Sequence, residues 1–236
     1  LTACVKERSI KPLIFGSASN DDLIKDYNDV QLWWSLLRNG NLDRVKGISE
    51  SHFKAKLHEV SSRLVVASKE LRGFEKRVID DKLLDLLHIE NEYAVHKMGC
   101  GIRAAPFVFE IFGPSNQGKS TIGATILDAC LKAAGLPSGD QYRQTINGCK
   151  KFLDGYKSHK NAVMFDDWGN TKAEFVENPP TETLKDMDNN VPFVANMADL
   201  REKGKIFVEP ELVGITTNVK HLDAHKYSNC PYSIQR

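Results

Sequence analysis

The sequence predicts an α/β fold, a parallel sheet covered by helices, preceded by a mostly helical N-terminal segment. Three observations carry this expectation. From Gly99 onward, short hydrophobic runs alternate with helical stretches, the pattern of buried parallel strands joined by crossover helices. A glycine-containing GxxxxGKS run, Gly113 to Ser120, falls between a strand-like run and a helix-like one. Ahead of both, apolar residues recur at alternating steps of four and three from Phe53 to Val78, which is a heptad stripe.

At 236 residues the chain exceeds one average domain without reaching two large ones, so one main core with an accessory segment is expected. Apolar residues at 41% and charged residues at 27% are ordinary for a globular protein and argue against disorder; no apolar run approaches bilayer-spanning length. The net charge of +1 gives a weak overall field, so any nucleic-acid contact must come from locally clustered Lys and Arg. The five cysteines, Cys4, Cys100, Cys130, Cys149 and Cys230, are odd in number and lack CxxC spacing. That argues against a disulfide framework or a zinc site and fits reduced thiols in a cytosolic setting. The chain starts at Leu1 with no signal-peptide pattern, so it is expected to be cut from a longer protein.

Residues 1 to about 48 read as irregular, punctuated by Pro12, Gly16, Gly40 and Gly47. Within them, residues 23–37 carry Trp33, Trp34, Leu36 and Leu37, a cluster that either packs on the chain's own core or docks on a membrane interface. The stripe then runs Phe53, Leu57, Val60, Leu64, Ala67, Leu71, Phe74 and Val78, with Ser49 as N-cap and Gly73 as its one weak helix former. Asp80 and Asp81 break the register, and a second helical patch covers Leu83 to about Lys97. Such helices either bury one face within the chain or pair between subunits. After the change of character at Gly99 to Pro106, Phe107–Phe112, Val163–Phe165 and Leu212–Thr216 read as strands and Ile122–Ala134 as a helix.

Gly113, Pro114, Ser115, Asn116, Gln117, Gly118, Lys119 and Ser120 match the phosphate-binding loop pattern, with Thr121 following at the helix start. The two glycines let backbone amides and the helix N-terminus face polyphosphate oxygens. Lys119 is expected to reach the β- and γ-phosphates of ATP, and the Ser120 hydroxyl to ligate Mg2+. Downstream, the apolar run from Ala162 ends in Asp166 and Asp167. A strand ending in acids delivers carboxylates to the sheet edge where the phosphates lie. Asp166 is assigned to Mg2+ and, by analogy with ring ATPases, Asp167 to polarising the attacking water. A third strand, Val213 to Thr217, ends in Asn218, whose amide can hold the γ-phosphate or the water. A strand-end Asn is also a common turn residue, so order and distance give this element its weight.

The block from Gly113 to Asn218 resembles the superfamily 3 helicases. Phe152, Leu153, Asp154, Gly155, Tyr156 and Lys157 look like the FDGYK segment of the picornavirus 2C-type helicases. Asn196 to Phe207 resembles the stretch ahead of their sensor Asn, and Pro231 to Arg236 the segment leading into their arginine finger. The likeness covers about residues 103–236 and points to picorna-like positive-strand RNA viruses. Residues 1 to about 98 carry no alignable motif.

The resemblance implies an AAA+-like P-loop sandwich that forms hexameric rings with ATP held between subunits. Arg236 would then be a catalytic finger in the neighbouring site, beside Lys119, Asp167 and Asn218. Candidate contacts to single-stranded RNA are Lys150, Lys151, Phe152, Tyr156 and Lys157, with Lys203 and Lys205 in a later hairpin, because basic and aromatic interleaving suits phosphate contact plus base stacking. The plainer alternative is a solvated charged face with Phe152 and Tyr156 in the core. The division implied is 1–98, for oligomerisation or membrane association, and 99–236, a helicase ATPase domain truncated at its C-terminus. Its setting would be membrane-associated replication complexes of the host cytoplasm, alongside other viral replication proteins. The rivals are an ATPase switch for assembly or membrane remodelling, and a small-molecule phosphotransferase.

Overall fold

The computed structural model describes residues 19–147, 152–176, 179–199 and 202–231. The chain divides into two compact units, the first ending at Tyr93 and the second beginning at Ala94.

Among the described residues, the first unit is built on helices α1 (Ser19–Arg38), α2 (Glu50–Glu70) and α3 (Gly73–Gly99) up to the division. Most of the stretch after residue 18 that reads as irregular is therefore helical. The reason is local: residues 19–38 contain neither Gly nor Pro, and Leu23, Tyr27, Val30 and Trp34 repeat at steps of four, three and four and are all buried. Gly40 and Gly47, both at positive φ, mark only the connection that follows. Trp34 stacks on Phe53 with centroids 6.0 Å apart, and its indole N–H donates to Glu92 at 2.9 Å, so the apolar body and the polar edge are both satisfied. Trp33 is partly buried against the same cluster. The tryptophans thus pack on the chain's own core.

The heptad stripe does not form one helix. Phe53, Leu57, Val60 and Leu64 of α2 are buried, but Leu71 is extended and Gly73 has φ +65°. A positive φ suits a residue without Cβ and interrupts the ladder there. Phe74, next in the stripe, is exposed, and burial resumes on α3 with Ile79, Leu86, Ile89 and Tyr93. Asp80 does not break α3: its carboxylate accepts the Ser68 hydroxyl at 2.5 Å and holds the two helices together across the bend.

The second unit is built on a four-stranded parallel sheet in the order β1-β4-β3-β2: β1 (Phe107–Phe112), β2 (Arg143–Asn147), β3 (Ala162–Asp166) and β4 (Leu212–Thr217). The central strands are continuous apolar runs because both of their faces are covered. Ala162 and Met164 of β3 face Leu127 and Leu131 of helix α4 (Lys119–Ala133), while Val163 and Phe165 join Val213, Ile215 and Trp168 on the opposite side. Strand β2 escapes the hydrophobic pattern because it is a polar edge strand with only Ile146 buried.

Two glycines let α4 lie close on the sheet. A Cβ at Gly123 would collide with the Met164 methyl, and one at Gly214 would meet Phe109, Met164 and Leu127 at 3.0–3.3 Å. Behind the sheet, the buried Arg103 guanidinium donates to the carbonyls of Val191, Val208, Asp186 and Met187 at 2.6–3.0 Å. The last two lie at the end of helix α5 (Pro180–Asp188), where exposed carbonyls favour a cation. Burial pulls the Arg103 pKa down from its ordinary value.

Candidate active site

Parallel pairing brings three chain segments to one edge. β4 is hydrogen-bonded between β1 and β3, with Phe112 paired to Thr217 and Phe165 to Ile215. The loop after β1, the acids ending β3 and the amide after β4 therefore emerge side by side at the carboxyl ends of the strands, the edge where ligands bind in open α/β sheets.

The loop is Gly113 to Gly118, with Lys119 opening α4. Asn116 (φ +62°) and Gly118 (φ +72°) turn the backbone through left-handed conformations, which curl the chain around the helix N-terminus. Pro114, Ser115, Asn116, Gln117, Gly118, Ser120 and Thr121 are solvent-exposed; Gly113 and Lys119 are half-buried.

The Lys119 ammonium donates to the Pro114 carbonyl at 2.7 Å and to Asn218 Oδ1 at 2.5 Å. These contacts fix the Asn218 amide: its oxygen faces the cation and its nitrogen donates to Asp167 Oδ1 at 2.9 Å and Ser115 Oγ at 3.1 Å. Asp167 Oδ1 also accepts from the Asn170 side chain. Asp166 has separate partners, since its Oδ1 accepts from Ser120 Oγ at 2.5 Å and Thr216 Oγ1 at 2.7 Å. Lys119, Ser120, Asp166, Asp167 and Asn218 thus form one constellation of two hydrogen-bonded sets, joined through Thr216 Oγ1, which accepts the Asp167 N–H at 3.0 Å. Thr216 and Asn170 belong to it and escape sequence reasoning: a Thr in a strand reads as ordinary β-propensity, and an Asn after Gly169 as a turn residue.

The segments considered for RNA behave differently from one another. Lys150, Lys151 and Arg236 lie outside the described residues. Phe152 is exposed. Tyr156 is only 1% exposed, packed in the core beside Val163 and Phe165, with its hydroxyl pushed up from the ordinary value by burial and by Glu209. Its ring is not available for base stacking, which corrects the sequence expectation. Lys157 is paired with Glu202. Lys203 and Lys205 are exposed in the turn after Glu202. This turn joins two short antiparallel pieces, with Val194 bridging Phe207, and it is tied to the Phe152–Lys157 loop by Leu153 N–H to Asn196 O at 2.9 Å and Ala198 N–H to Asp154 Oδ1 at 2.9 Å. Phe152, Lys157, Lys203 and Lys205 therefore sit on two adjoining loops.

The parallel sheet, the phosphate-type loop and the acids beside it define a P-loop nucleoside triphosphatase. Residues 109–219, a little under half of the chain, match the family model described as RNA helicase. It is 34% identical over 121 residues to the RNA1 polyprotein of Grapevine fanleaf virus, covering 50% of this chain and 5% of that one. The RNA1 polyprotein of Arabis mosaic virus (isolate NW) is 29% identical over 145 residues, 60% of this chain and 6% of its own length. The genome polyprotein of Human parechovirus 5 (strain CT86-6760) is 34% identical over 117 residues, 50% of this chain and 5% of its own. The chain thus matches only about a twentieth of the length of these curated relatives.

Proposed function

We propose that this chain hydrolyses ATP and uses the energy to move along single-stranded RNA and unwind duplex RNA during viral RNA replication. The observation that carries the reading is the Lys119–Asn218–Asp167 chain of hydrogen bonds at the sheet edge, beside the separate Ser120–Asp166 contact.

In this reading the loop amides and the N-terminus of α4 receive the polyphosphate. Lys119 exchanges its bond to Asn218 for one to the β- and γ-phosphates. The Asp167 carboxylate, oriented by the amides of Asn218 and Asn170, polarises the attacking water and draws its proton. Asn218 holds that water or the γ-phosphate as its contact with Lys119 is given up. Ser120 Oγ and Asp166 Oδ1, 2.5 Å apart, are hard oxygen donors of the kind Mg2+ takes; they would hold it, and it would neutralise phosphate charge.

Rings supplying Arg236 across a subunit interface, RNA contacts through Phe152, Lys157, Lys203 and Lys205 together with Lys150 and Lys151, and a role for residues 1–98 in oligomerisation or membrane association complete the proposal. The setting is a replication complex of the host cytoplasm, with other viral proteins. No helix among the described residues is long and apolar enough to cross a membrane. The second reading, an ATPase switch without unwinding, draws on the burial of Tyr156 and the pairing of Lys157, which leave fewer groups free for RNA.

The test is phosphate release from ATP with and without single-stranded RNA, run beside Lys119→Ala. Stimulation by RNA supports the motor. Turnover indifferent to RNA supports the switch, and turnover that survives in Lys119→Ala refutes both.

A further inference from the structure

We infer that Thr216 is a positioning residue for the paired acids at the end of β3, an assignment that rests on the ATPase reading of that site. Thr216 is buried at 1% exposure, and its single hydroxyl works in both directions. It donates to Asp166 Oδ1 at 2.7 Å and accepts the backbone N–H of Asp167 at 3.0 Å. The oxygen it binds on Asp166 is the one that accepts Ser120 Oγ. Thr216 thereby fixes which oxygen of that carboxylate is turned toward the phosphate loop.

The acceptor half of the contact matters for Asp167. This residue has φ +53°, a left-handed conformation that is unfavourable for a side chain with a Cβ and persists only where neighbours over-determine it. β4 supplies that determination. Besides the hydroxyl contact, Thr216 O accepts Trp168 N–H at 2.8 Å, and Thr217 Oγ1 donates to Trp168 O at 2.7 Å. Trp168 is itself anchored, with its ring 4.5 Å from that of Phe165. The turn that aims Asp167 at the Asn218 amide is thus bound to two successive residues of the neighbouring strand, and Thr216 is the one that touches both acids.

A group that must donate and accept at once can be serine. It cannot be valine, which keeps the shape of threonine and loses both bonds. Positioning partners of this kind are typically worth about 10- to 100-fold in activity.

The experiment compares the full chain with Thr216→Val and Thr216→Ser by steady-state ATP hydrolysis, thermal melting, and amide hydrogen exchange of the Asp166–Gly169 turn without nucleotide. Thr216→Val is expected to lower kcat about 10- to 100-fold with KM within about threefold, and to speed exchange at Asp167. Thr216→Ser is expected to stay within about threefold of wild type in kcat and to keep the slow exchange. If melting shows Thr216→Val to be unfolded, Thr216→Cys, a weak donor and acceptor, takes its place with an intermediate loss expected. A folded Val or Cys variant with wild-type turnover and exchange overturns the assignment, as does a Ser variant impaired as much as Val. A wild-type chain without turnover overturns the ATPase reading and this assignment together; an active wild type with an unaffected Val variant overturns the assignment alone.

Discussion

The Lys119 ammonium lies 2.5 Å from the carboxamide oxygen of Asn218, across 99 residues of sequence. The contact joins the start of α4 to the end of β4, and the same amide continues to Asp167. In the proposed reading, a γ-phosphate entering the loop would compete with Asn218 for the lysine, and nucleotide arrival would be felt at the acid through the same amide.

Lys119→Ala should leave the fold intact and lower turnover by about 10²-fold or more, since in the proposed reading it removes the charge that would stabilise the transferring phosphoryl group. Asn218→Asp should cost a similar factor by a different route, placing a like charge against Asp167 in place of a donor. Phosphate release and melting temperature, measured on both, check this; turnover within about twofold of wild type in either variant contradicts it.

The two carboxylates have separate partners, Ser120 and Thr216 for Asp166 and the amides of Asn218 and Asn170 for Asp167, and this predicts separable defects. Asp166→Asn should weaken Mg2+-dependent nucleotide binding, because it replaces an anionic oxygen beside Ser120. Asp167→Asn should spare binding and slow the chemical step. Fluorescent-nucleotide titration against Mg2+, set beside kcat, distinguishes them, and identical defects would contradict this division.

A finger acting between subunits predicts complementation. Arg236→Ala subunits and Lys119→Ala subunits should each be nearly inactive, whereas mixed assemblies should recover part of the activity where an intact loop meets an intact finger. Such a finger is worth about 10³-fold or more. The chain must be extended past Arg236 for this test, and no recovery in assemblies shown by light scattering to be mixed places Arg236 elsewhere.

Gly214→Ala should destabilise the second unit by about 1–3 kcal/mol through overpacking. The new methyl meets Phe109, Met164 and Leu127 together, in a strand buried on both faces. The midpoint of urea unfolding measures the loss, and an unchanged midpoint would mean that α4 retreats without cost.

Leu64→Asp should cost about 3–5 kcal/mol, because Leu64 is 1% exposed within the cluster of α1, α2 and α3 and a carboxylate there has no partner. Loss of the helical circular-dichroism transition is the expected result. A chain that stays folded but fails to assemble would make the stripe an intersubunit seam.

What the sequence disclosed follows from burial and geometry. The central strands were legible because a run such as Ala162 to Phe165, covered on both sides, has no polar position to hide it. The turn from Gly113 to Ser120 was legible as a connection because glycines mark it and a strand-like and a helix-like run flank it. Helix α1 was obscured by Gly40 and Gly47 just beyond it, and β2 because an edge strand buries only Ile146. Tyr156 illustrates a harder limit: interleaved basic and aromatic residues do not tell which ring turns inward. Arg103 gave no signal at all, since its four partners are backbone carbonyls, which sequence does not distinguish.

Arg103 bears on how motion can spread through the second unit. Its guanidinium holds the carbonyls of Val191 and Val208, the two roots of the limb whose tip carries Lys203 and Lys205. Pulling either root away would take one of four acceptors from a buried cation and leave a carbonyl bare, so both roots are held to the end of α5. A displacement of Lys203 and Lys205 that keeps these two bonds intact has to be taken up beyond the held roots, not at them.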